Sequence, residues 1–399
     1  MADNDKLLTA GCAAVMAQLD DAYTLQVLRE MIAIPSVVGE EGALAAYLHG
    51  AIEAMGVDCE LQEVEAGRPN LYARLKGDAP GRRLHLNGHT DTVPVVDGWE
   101  SDPFTPVERE GRLYGLGACD MKGGIACMLN VLRAFAAAGR RFKGELSFSA
   151  VVDEEAYSKG ARALLQTPYR DVDAVILAEP YPGDADKPIP LGITGKILYD
   201  VRVQGKAAHA FSPQSGINAV EEAARILAHL DRLRFATHPD FGTGSYSTLK
   251  IEGGYKIYSV VIPDSCRFEV NRLLVPGETA AGAVADLEDL IGSLKLSADV
   301  EVRTKPPQYE AYVTHKDSPI LRVFDTVYRE VMGVAPVYNY ANGITDANVF
   351  AGEAGIPCLH LGPQRGGAHR KNEYVPLDWL PRVSRMLALT AWRFLAESR

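Results

Sequence analysis

The chain has 399 residues, 47% of them hydrophobic and 23% charged, and 52 acidic against 41 basic side chains give a formal net charge of -11. That length implies two domains of ordinary size, and the acidic balance argues against nucleic acid or anionic membrane as the main partner. The 6 cysteines lie without any Cys-x-x-Cys spacing, which speaks against a zinc finger or a dithiol redox pair and fits reduced thiols. The N-terminus carries Asp3 and Asp5 and lacks a continuous apolar core preceded by basic residues, and no later run approaches a membrane span. The expectation is a cytoplasmic protein with no membrane partner.

Residues from about Leu7 to Ile34 place apolar side chains at mixed three and four spacing, with a break at Asp20-Asp21 and a stop at Pro35, which predicts helix. Ala43 to Met55 is a further helix ended by Gly56, and short strands follow at Cys59 to Val64 and Leu71 to Leu75. Leu84-His85-Leu86 is a strand running into Asn87-Gly88-His89-Thr90-Asp91-Thr92-Val93-Pro94, where the proline cannot continue a central strand. Extended backbone repeats with period two, so His89 and Asp91 emerge on one side, close enough for one to bind a metal and the other to orient it. Glycines then flank Asp120 in Gly117-Ala118-Cys119-Asp120-Met121-Lys122-Gly123-Gly124 and allow tight turns around one carboxylate. A dinucleotide fingerprint is disfavoured there, because its third glycine and its preceding strand are missing.

Ile125 to Ala138 is a helix, Glu145 to Val152 an alternating strand running into Asp153-Glu154-Glu155, and Ala174 to Leu177 a strand ending in Ala178-Glu179-Pro180. Three strand-like segments therefore deliver acid or histidine at their C-terminal ends. Strands alternating with helices imply a mostly parallel sheet whose carboxyl edge binds the ligand. Pro182 to Pro190 reads as a linker. Beyond it, Ile197, Tyr199, Val201 and Val203 alternate with Asp200, Arg202 and Gln204, the pattern of a sheet with one wet face. A helix from Asn218 to Leu233, a strand from Cys266 to Leu274, a helix from Thr279 to Leu294 and a strand from Val300 to Arg303 complete a two-layer α+β insert. Helix returns at Pro319 to Met332, strand at Ile356 to Leu361, and His369 lies in the loop before a last helix from about Leu380 to Glu397. The expected α/β catalytic domain comprises residues 1–190 and 306–399, with the insert at 191–305.

A pair of divalent ions needs a few hard or borderline ligands and an anion between them. His89, Asp120, Glu155, Glu179 and His369 supply two imidazoles and three carboxylates of that kind, with Asp120 placed by its glycines to bridge. Adjacent Glu154 and Glu155 leave a strand end in opposite directions, so one can coordinate while its neighbour stays free as a general base. Mixed nitrogen and oxygen ligands suit Zn2+ at both positions, with Co2+ or Mn2+ as alternatives. No Gly-x-Ser-x-Gly elbow occurs, and neither Gly195-Lys196 nor Gly205-Lys206 is followed by Ser or Thr, which speaks against serine-hydrolase and P-loop chemistry.

Taken together, Gly88 to Pro94, Gly117 to Gly124, Asp153-Glu154-Glu155, Glu179-Pro180 and Gly367-Ala368-His369 with Asn372-Glu373 resemble the motifs of the M20 metallopeptidases. That group contains acetylornithine deacetylase, succinyl-diaminopimelate desuccinylase, aminoacylase-1 and glutamate-releasing carboxypeptidases, and the resemblance runs from about Ile34 to Val375. It implies a zinc-peptidase-like catalytic domain with an inserted lid or dimerisation domain, and a homodimer formed through that insert. It implies further that His89 and Glu179 hold one ion, Glu155 and His369 the other, and that Asp120 bridges. Asp91 would orient His89, and Glu154 would deprotonate the water that attacks an amide carbonyl and then protonate the departing amine.

Gly205-Lys206-Ala207-Ala208-His209-Ala210 resembles the family's lid motif, which implies that His209 stabilises a tetrahedral oxyanion in a neighbouring site. Arg272 matches a position that grips a substrate carboxylate, and Thr345-Asp346-Ala347 agrees with deacylase-type members in which it lines the pocket. Without the resemblance these are a strand-end histidine, a surface ion pair and a helix N-cap. Two departures stand out. Val260 replaces an asparagine usual before Ile262-Pro263-Asp264, which puts a cross-subunit contact in doubt, and Asn271 replaces the acid that commonly precedes the arginine. The expected activity is hydrolysis of an N-acyl amino acid by a deacylase. The alternatives are a carboxypeptidase or dipeptidase acting on short peptides and, from another class, a non-catalytic metal-binding scaffold, against which the presence of Glu154 speaks.

Overall fold

In the computed structural model, which describes residues 2–257 and 259–397, the break expected at Asp20-Asp21 is a helix cap. The Asp20 side chain accepts the N–H of Tyr23 and opens α2 (Asp21–Ile32) after α1 (Ala2–Ala17). Next come α3 (Gly42–Glu53), β1 (Asp58–Glu65), β2 (Arg68–Lys76), β3 (Ala79–His89), α4 (Lys122–Ala137), β4 (Lys143–Val151) and β5 (Ala174–Leu177). The insert contributes β6 (Gly195–Gln204), α5 (Ala219–Leu227), β7 (Ser245–Gly253), β8 (Ser265–Leu274), α6 (Ala280–Ser293) and β9 (Asp299–Tyr309). Then α7 (Pro319–Met332), β10 (Cys358–His360) and α8 (Trp379–Ala396) follow.

The central sheet has 6 strands in the order β1-β2-β4-β3-β5-β10. β4, β3, β5 and β10 run parallel to one another, while β2 is antiparallel to both β4 and β1 at the other edge. Register decides where the chemistry falls: His89 pairs with Val151 and Asn87 with Leu177, so the chain leaves three adjacent strands at one level. Burial on both faces explains why β5 reads as the unbroken apolar run Ala174 to Leu177. α4 is buried almost all round, from Lys122 to Leu132 without interruption, as a core helix must be. One polar group is built into this core. His85 lies 2.7 Å from both Ser147 Oγ and Ser149 Oγ, and Ser149 donates onward to Asn87 Oδ1 at 2.7 Å. Burial pushes the His85 imidazole down to about 3, so it stays neutral.

The chain divides into two compact units, one formed by residues up to Leu191 with Thr314–Asn339 and everything from Thr345, the other by Gly192–Val313 with Tyr340–Ile344. The second boundary lies beyond the expected 305, because β9 continues through Pro306 and Pro307 to Tyr309 where only Val300 to Arg303 alternates clearly. Within the second unit the sheet order is β7-β8-β6-β9, all antiparallel. Ile197, Tyr199, Val201 and Val203 of β6 join Phe268 and Val270 of β8 in a core with Ala223 and Ile226 of α5 and Leu287 of α6. The opposite face is charged, with Arg267 paired to Asp200 at 2.5 Å and Lys305 to Glu269 at 2.7 Å. β7 is an exposed edge with no alternation in burial, which is why its residues carry no strand signal.

Candidate metal centre

The carboxyl edge of the first unit's sheet gathers the expected ligands. At the end of β3, His89 Nε2 lies 3.4 Å from Asp120 Oδ1 and 3.7 Å from Glu179 Oε1. Asp120 turns its other oxygen, Oδ2, to within 3.4 Å of His369 Nε2, which itself lies 2.8 Å from Glu155 Oε1. One carboxylate thus faces two imidazoles with one oxygen each, the arrangement a bridging ligand requires. Ligand atoms of His89, Asp120 and Glu155 lie within 4.8 Å of one another, as do those of His89, Glu154 and Glu179.

The supports of these side chains explain their precision. Asp91 accepts the backbone N–H of Glu154 at Oδ1, 3.1 Å, and that of Glu155 at Oδ2, 2.8 Å. His89 Nδ1 is nearest the backbone carbonyl of Asp91 at 2.9 Å, with the Asp91 carboxylate at 3.6 Å. Residue 91 therefore fixes the imidazole mainly through its carbonyl and uses its side chain to fasten the two glutamates. Just before them, Asp153 adopts φ 72°, and Arg68 Nη2 holds its carboxylate at 2.7 Å while also binding Glu41 at 2.6 Å. Glu373, for which the motifs suggest no role, accepts three N–H groups of the Asp120 loop: Gly117 at 2.9 Å, Cys119 at 2.9 Å and Asp120 at 3.0 Å. Buried Lys122 anchors the same loop from below, donating to the carbonyls of Met31 and Ile34 at 2.9 Å each. Burial pushes its ammonium down to about 7.

Electrostatics supply a test of whether cations fit. Burial first, then the charge of Glu179, pushes Glu154 well above the usual carboxylate range. Burial and then Asp120 push Glu179 up to about 8, and burial pushes Asp91 up to about 7. Hydrogen bonds to Asp120 and Glu155 raise His369 to about 10. For His89 burial acts downward, but Asp120, Glu154, Glu179 and Asp91 outweigh it and hold the imidazole well above its ordinary value. A cluster carrying this many acids suits divalent cations as counter-charge, and two imidazoles with several carboxylates are donors that such ions accept. The residues fit the group.

The remaining predicted residues have other surroundings. Thr345 Oγ1 accepts the N–H of Ala347 at 3.2 Å and lies 3.1 Å from His360 Nε2, just before the helical turn Asn348–Glu353, whose N-cap is Ala347. Asp346 is buried, 3.4 Å from Asn87 Nδ2, with Oδ1 lacking a hydrogen-bond partner, and its charge acts on Glu154 and Glu179. In the second unit, His209 is exposed and stacks on Phe211 at 5.4 Å, and neighbouring Val260 accepts the N–H of Ala210 at 2.8 Å. Arg272 is not the surface ion pair that residue type alone suggests. It is 2% exposed, donates to Asp286 at 3.0 Å, to Glu278 at 2.8 Å and to the carbonyl of Arg234 at 2.6 Å, and lies over the Phe235 ring. It shares the parity of Phe268 and Val270, so it faces the helices of its own unit instead of presenting an open fork.

A mostly parallel sheet with imidazoles and carboxylates gathered at its carboxyl edge defines the class of α/β metallohydrolases. The description Peptidase family M20/M25/M40 matches residues 85–393, and the chain belongs to that family, a hydrolase acting on amide or peptide bonds. In sequence it is 27% identical over 390 residues to the N-formyl-4-amino-5-aminomethyl-2-methylpyrimidine deformylase of Bacillus subtilis (strain 168), across 88% of this chain and 89% of that protein. It is 29% identical over 375 residues to the succinyl-diaminopimelate desuccinylase of Dechloromonas aromatica (strain RCB), across 90% of this chain and 96% of that protein. A tripeptidase from Staphylococcus aureus shares the fold at a TM-score of 0.74 and 22% identity, over 95% of this chain and 99% of that one. Among the described residues no helix is long and apolar enough to cross a membrane.

Proposed function

We propose that this protein is a two-metal amidohydrolase that removes the acyl group from an N-acyl amino acid, with Glu154 as the general base. The observation that carries the reading is the position of Glu154: its carboxylate shares a 4.8 Å group with His89 and Glu179 while Asp91 holds its backbone. His89, Asp120 and Glu179 would hold one ion and Asp120, Glu155 and His369 the other, Zn2+ suiting both positions and Co2+ or Mn2+ being alternatives. Such ions, when bound, polarise the scissile carbonyl and acidify water. Glu154 takes a proton from the water as its oxygen bonds to the carbonyl carbon, and returns it to the amide nitrogen as the C–N bond breaks. An acyl acid and a free amine leave.

Two deacylases among the sequence relatives support a deacylase over a peptidase. The same reading assigns His209 to an oxyanion in a neighbouring site of a homodimer formed through the insert. Exposed Phe211, Leu249 and Ile257, at 85%, 59% and 81% exposure, support such an interface. Six free cysteines accord with a cytoplasmic location. The test is a metal-reconstituted screen of N-acyl amino acids beside dipeptides, with Glu154→Ala and His369→Ala as controls. Release of an acyl acid is expected; release of a C-terminal amino acid from dipeptides would turn the reading to a carboxypeptidase or dipeptidase. Glu154→Ala should keep its metal and lose orders of magnitude in kcat, whereas His369→Ala should lose metal at one position. An active Glu154→Ala enzyme would remove the assigned base.

A further inference from the structure

The turn that carries Glu154 and Glu155 is held from two sides. Asp91 takes the N–H groups of both glutamates. On the other side stands Asp153, which is 1% exposed and has φ 72°, a left-handed conformation that residues other than glycine rarely adopt. Its carbonyl accepts the N–H groups of Tyr157 at 3.0 Å and Ser158 at 2.6 Å, so the course of the chain through Glu154 follows from the backbone of this one residue. Its carboxylate accepts from Arg68 Nη2 at 2.7 Å through Oδ1, and Oδ2 has no hydrogen-bond partner among the described residues. Arg68, the first residue of β2, is 8% exposed; its Nε and Nη2 donate to the two oxygens of buried Glu41 at 2.8 Å and 2.6 Å, and its Nη1 reaches Glu65. Glu41 ends a loop that is bonded to the strand end bearing His89: Thr92 donates its N–H to the Ser36 carbonyl at 2.9 Å, and Val38 donates to the Thr92 carbonyl at 3.0 Å. A closed circuit of bonds results, from Asp91 through Glu154, Asp153, Arg68 and Glu41 back to Thr92.

Fold stability is the plain explanation of Arg68, and the geometry weakens it. A buried ion pair repays its desolvation poorly, and the two-pronged pair of Arg68 with Glu41 is complete without a third group. A second buried carboxylate on the same Nη2 adds desolvation and repulsion between acids. What it supplies is a tether for residue 153, and a strained backbone persists only where its surroundings over-determine it. We propose that Arg68 is a positioning residue for the general base: it closes the circuit that locks the turn at Asp153 and thereby sets where the carboxylates of Glu154 and Glu155 point. The part assigned to Glu154 rests on the amidohydrolase reading above. Asn70 ties the two ends of the same turn, accepting the N–H of Val152 at 3.1 Å and donating to the carbonyl of Gly160 at 2.9 Å. Loss of the Arg68 tether therefore frees residue 153 locally, while the turn as a whole stays attached.

The test uses the full chain with three variants. Arg68→Lys keeps a cation beside Glu41 but has no fork to reach both acids. Asp153→Gly leaves the Arg68–Glu41 pair in place, removes the tether and tolerates the left-handed backbone, so it remains informative if Arg68→Lys fails to fold. Asp153→Asn keeps an acceptor for Arg68 and is the conservative rescue. At wild-type ion content, Arg68→Lys and Asp153→Gly should lower kcat about 10- to 100-fold with KM within about threefold, and Asp153→Asn should recover most of that loss. Hydrogen exchange in the metal-free chain reads the clamp without turnover: amides of residues 152–158 should exchange about tenfold faster in the first two variants, with those of α4 within about twofold of wild type. Unchanged exchange at 152–158, an equal rise in α4, wild-type kcat beside a loosened turn, or a loss confined to KM would each overturn the proposal. If wild type hydrolyses none of the N-acyl amino acids or dipeptides, the amidohydrolase reading falls while exchange still decides the clamp: local loosening upholds it, and unchanged or uniformly raised exchange refutes it.

Discussion

Replacing Glu373 tests whether the proposed metal centre depends on a carboxylate that is bound to the backbone of the Asp120 loop. Glu373 is 1% exposed; its Oε2 accepts from Gly117, and its Oε1 accepts from both Cys119 and Asp120. In Glu373→Gln an amide oxygen in place of Oε1 keeps two of the three bonds, and the amide nitrogen meets the N–H of Gly117 donor to donor. In Glu373→Ala three N–H groups lose their acceptor. An unsatisfied buried donor costs about 1–3 kcal/mol, so the glutamine variant should lose roughly that amount and the alanine variant about 3–5 kcal/mol after partial relaxation. Because this loop presents Asp120 to both imidazoles, part of the loss should appear as weaker ion binding, about 10- to 100-fold for alanine. Competition with a chelator of known Zn2+ affinity measures the binding, and urea unfolding of the chelated protein measures the stability. Wild-type ion affinity in Glu373→Ala would refute the positioning argument; equal losses in the two variants would show that charge, and not acceptor geometry, matters.

Asp91→Ala removes the acceptors for the N–H groups of Glu154 and Glu155 and should lower kcat about 10- to 100-fold, with ion content measured alongside; unchanged turnover would mean that the Asp153 turn holds the glutamates unaided. Arg272→Met leaves buried Glu278 without its cation, while Asp286 keeps Arg234 at 2.7 Å, and should cost about 1–3 kcal/mol in thermal unfolding with KM nearly unchanged. A raised KM for carboxylate substrates at unchanged stability would restore the substrate role expected from sequence. His85 and His360 are both pushed down to about 3 by burial, while the unfolded chain titrates near 6.5. The folded state binds fewer protons between those values, so stability falls as pH drops from about 6.5 towards 3, by up to about 1.4 kcal/mol per pH unit for each histidine. Urea midpoints of chelated wild type and His85→Gln at pH 7 and 5 should show a shallower decline in the variant; parallel declines would contradict this account.

Much of the fold is written in local pattern, because parallel strands buried on both faces leave continuous apolar runs, and Ala174 to Leu177 is a strand with the bounds expected of it. The clustering of the candidate ligands was legible for a related reason: a polar residue at the end of such a run must emerge at the sheet edge, as His89 and Glu179 do. What local pattern does not carry is the identity of distant partners. Glu373 meets N–H groups some 250 positions earlier in the chain, and Asp91 meets the backbone of Glu154, contacts set by tertiary register alone. Arg272 is an instructive intermediate. Its place in the series Phe268, Val270, Arg272, Leu274 puts it on the apolar side of β8, a hint of its buried pairing that residue type alone obscures. β7 stayed hidden because an exposed edge strand has no buried face to impose alternation.

The first unit is discontinuous, and this has a consequence for how the centre comes into being on the ribosome. His369 is made 190 residues after Glu179, which at roughly 5–20 residues per second is a delay of about 10–40 s. Throughout that interval the nascent chain carries His89, Asp120, Glu155 and Glu179 but lacks the second imidazole, and β5 offers an open edge until β10 arrives to pair with it. If His369 completes the proposed centre, ion loading would finish only after the insert has been synthesised, and the half-made sheet is the species on which chaperones and competing metals would act.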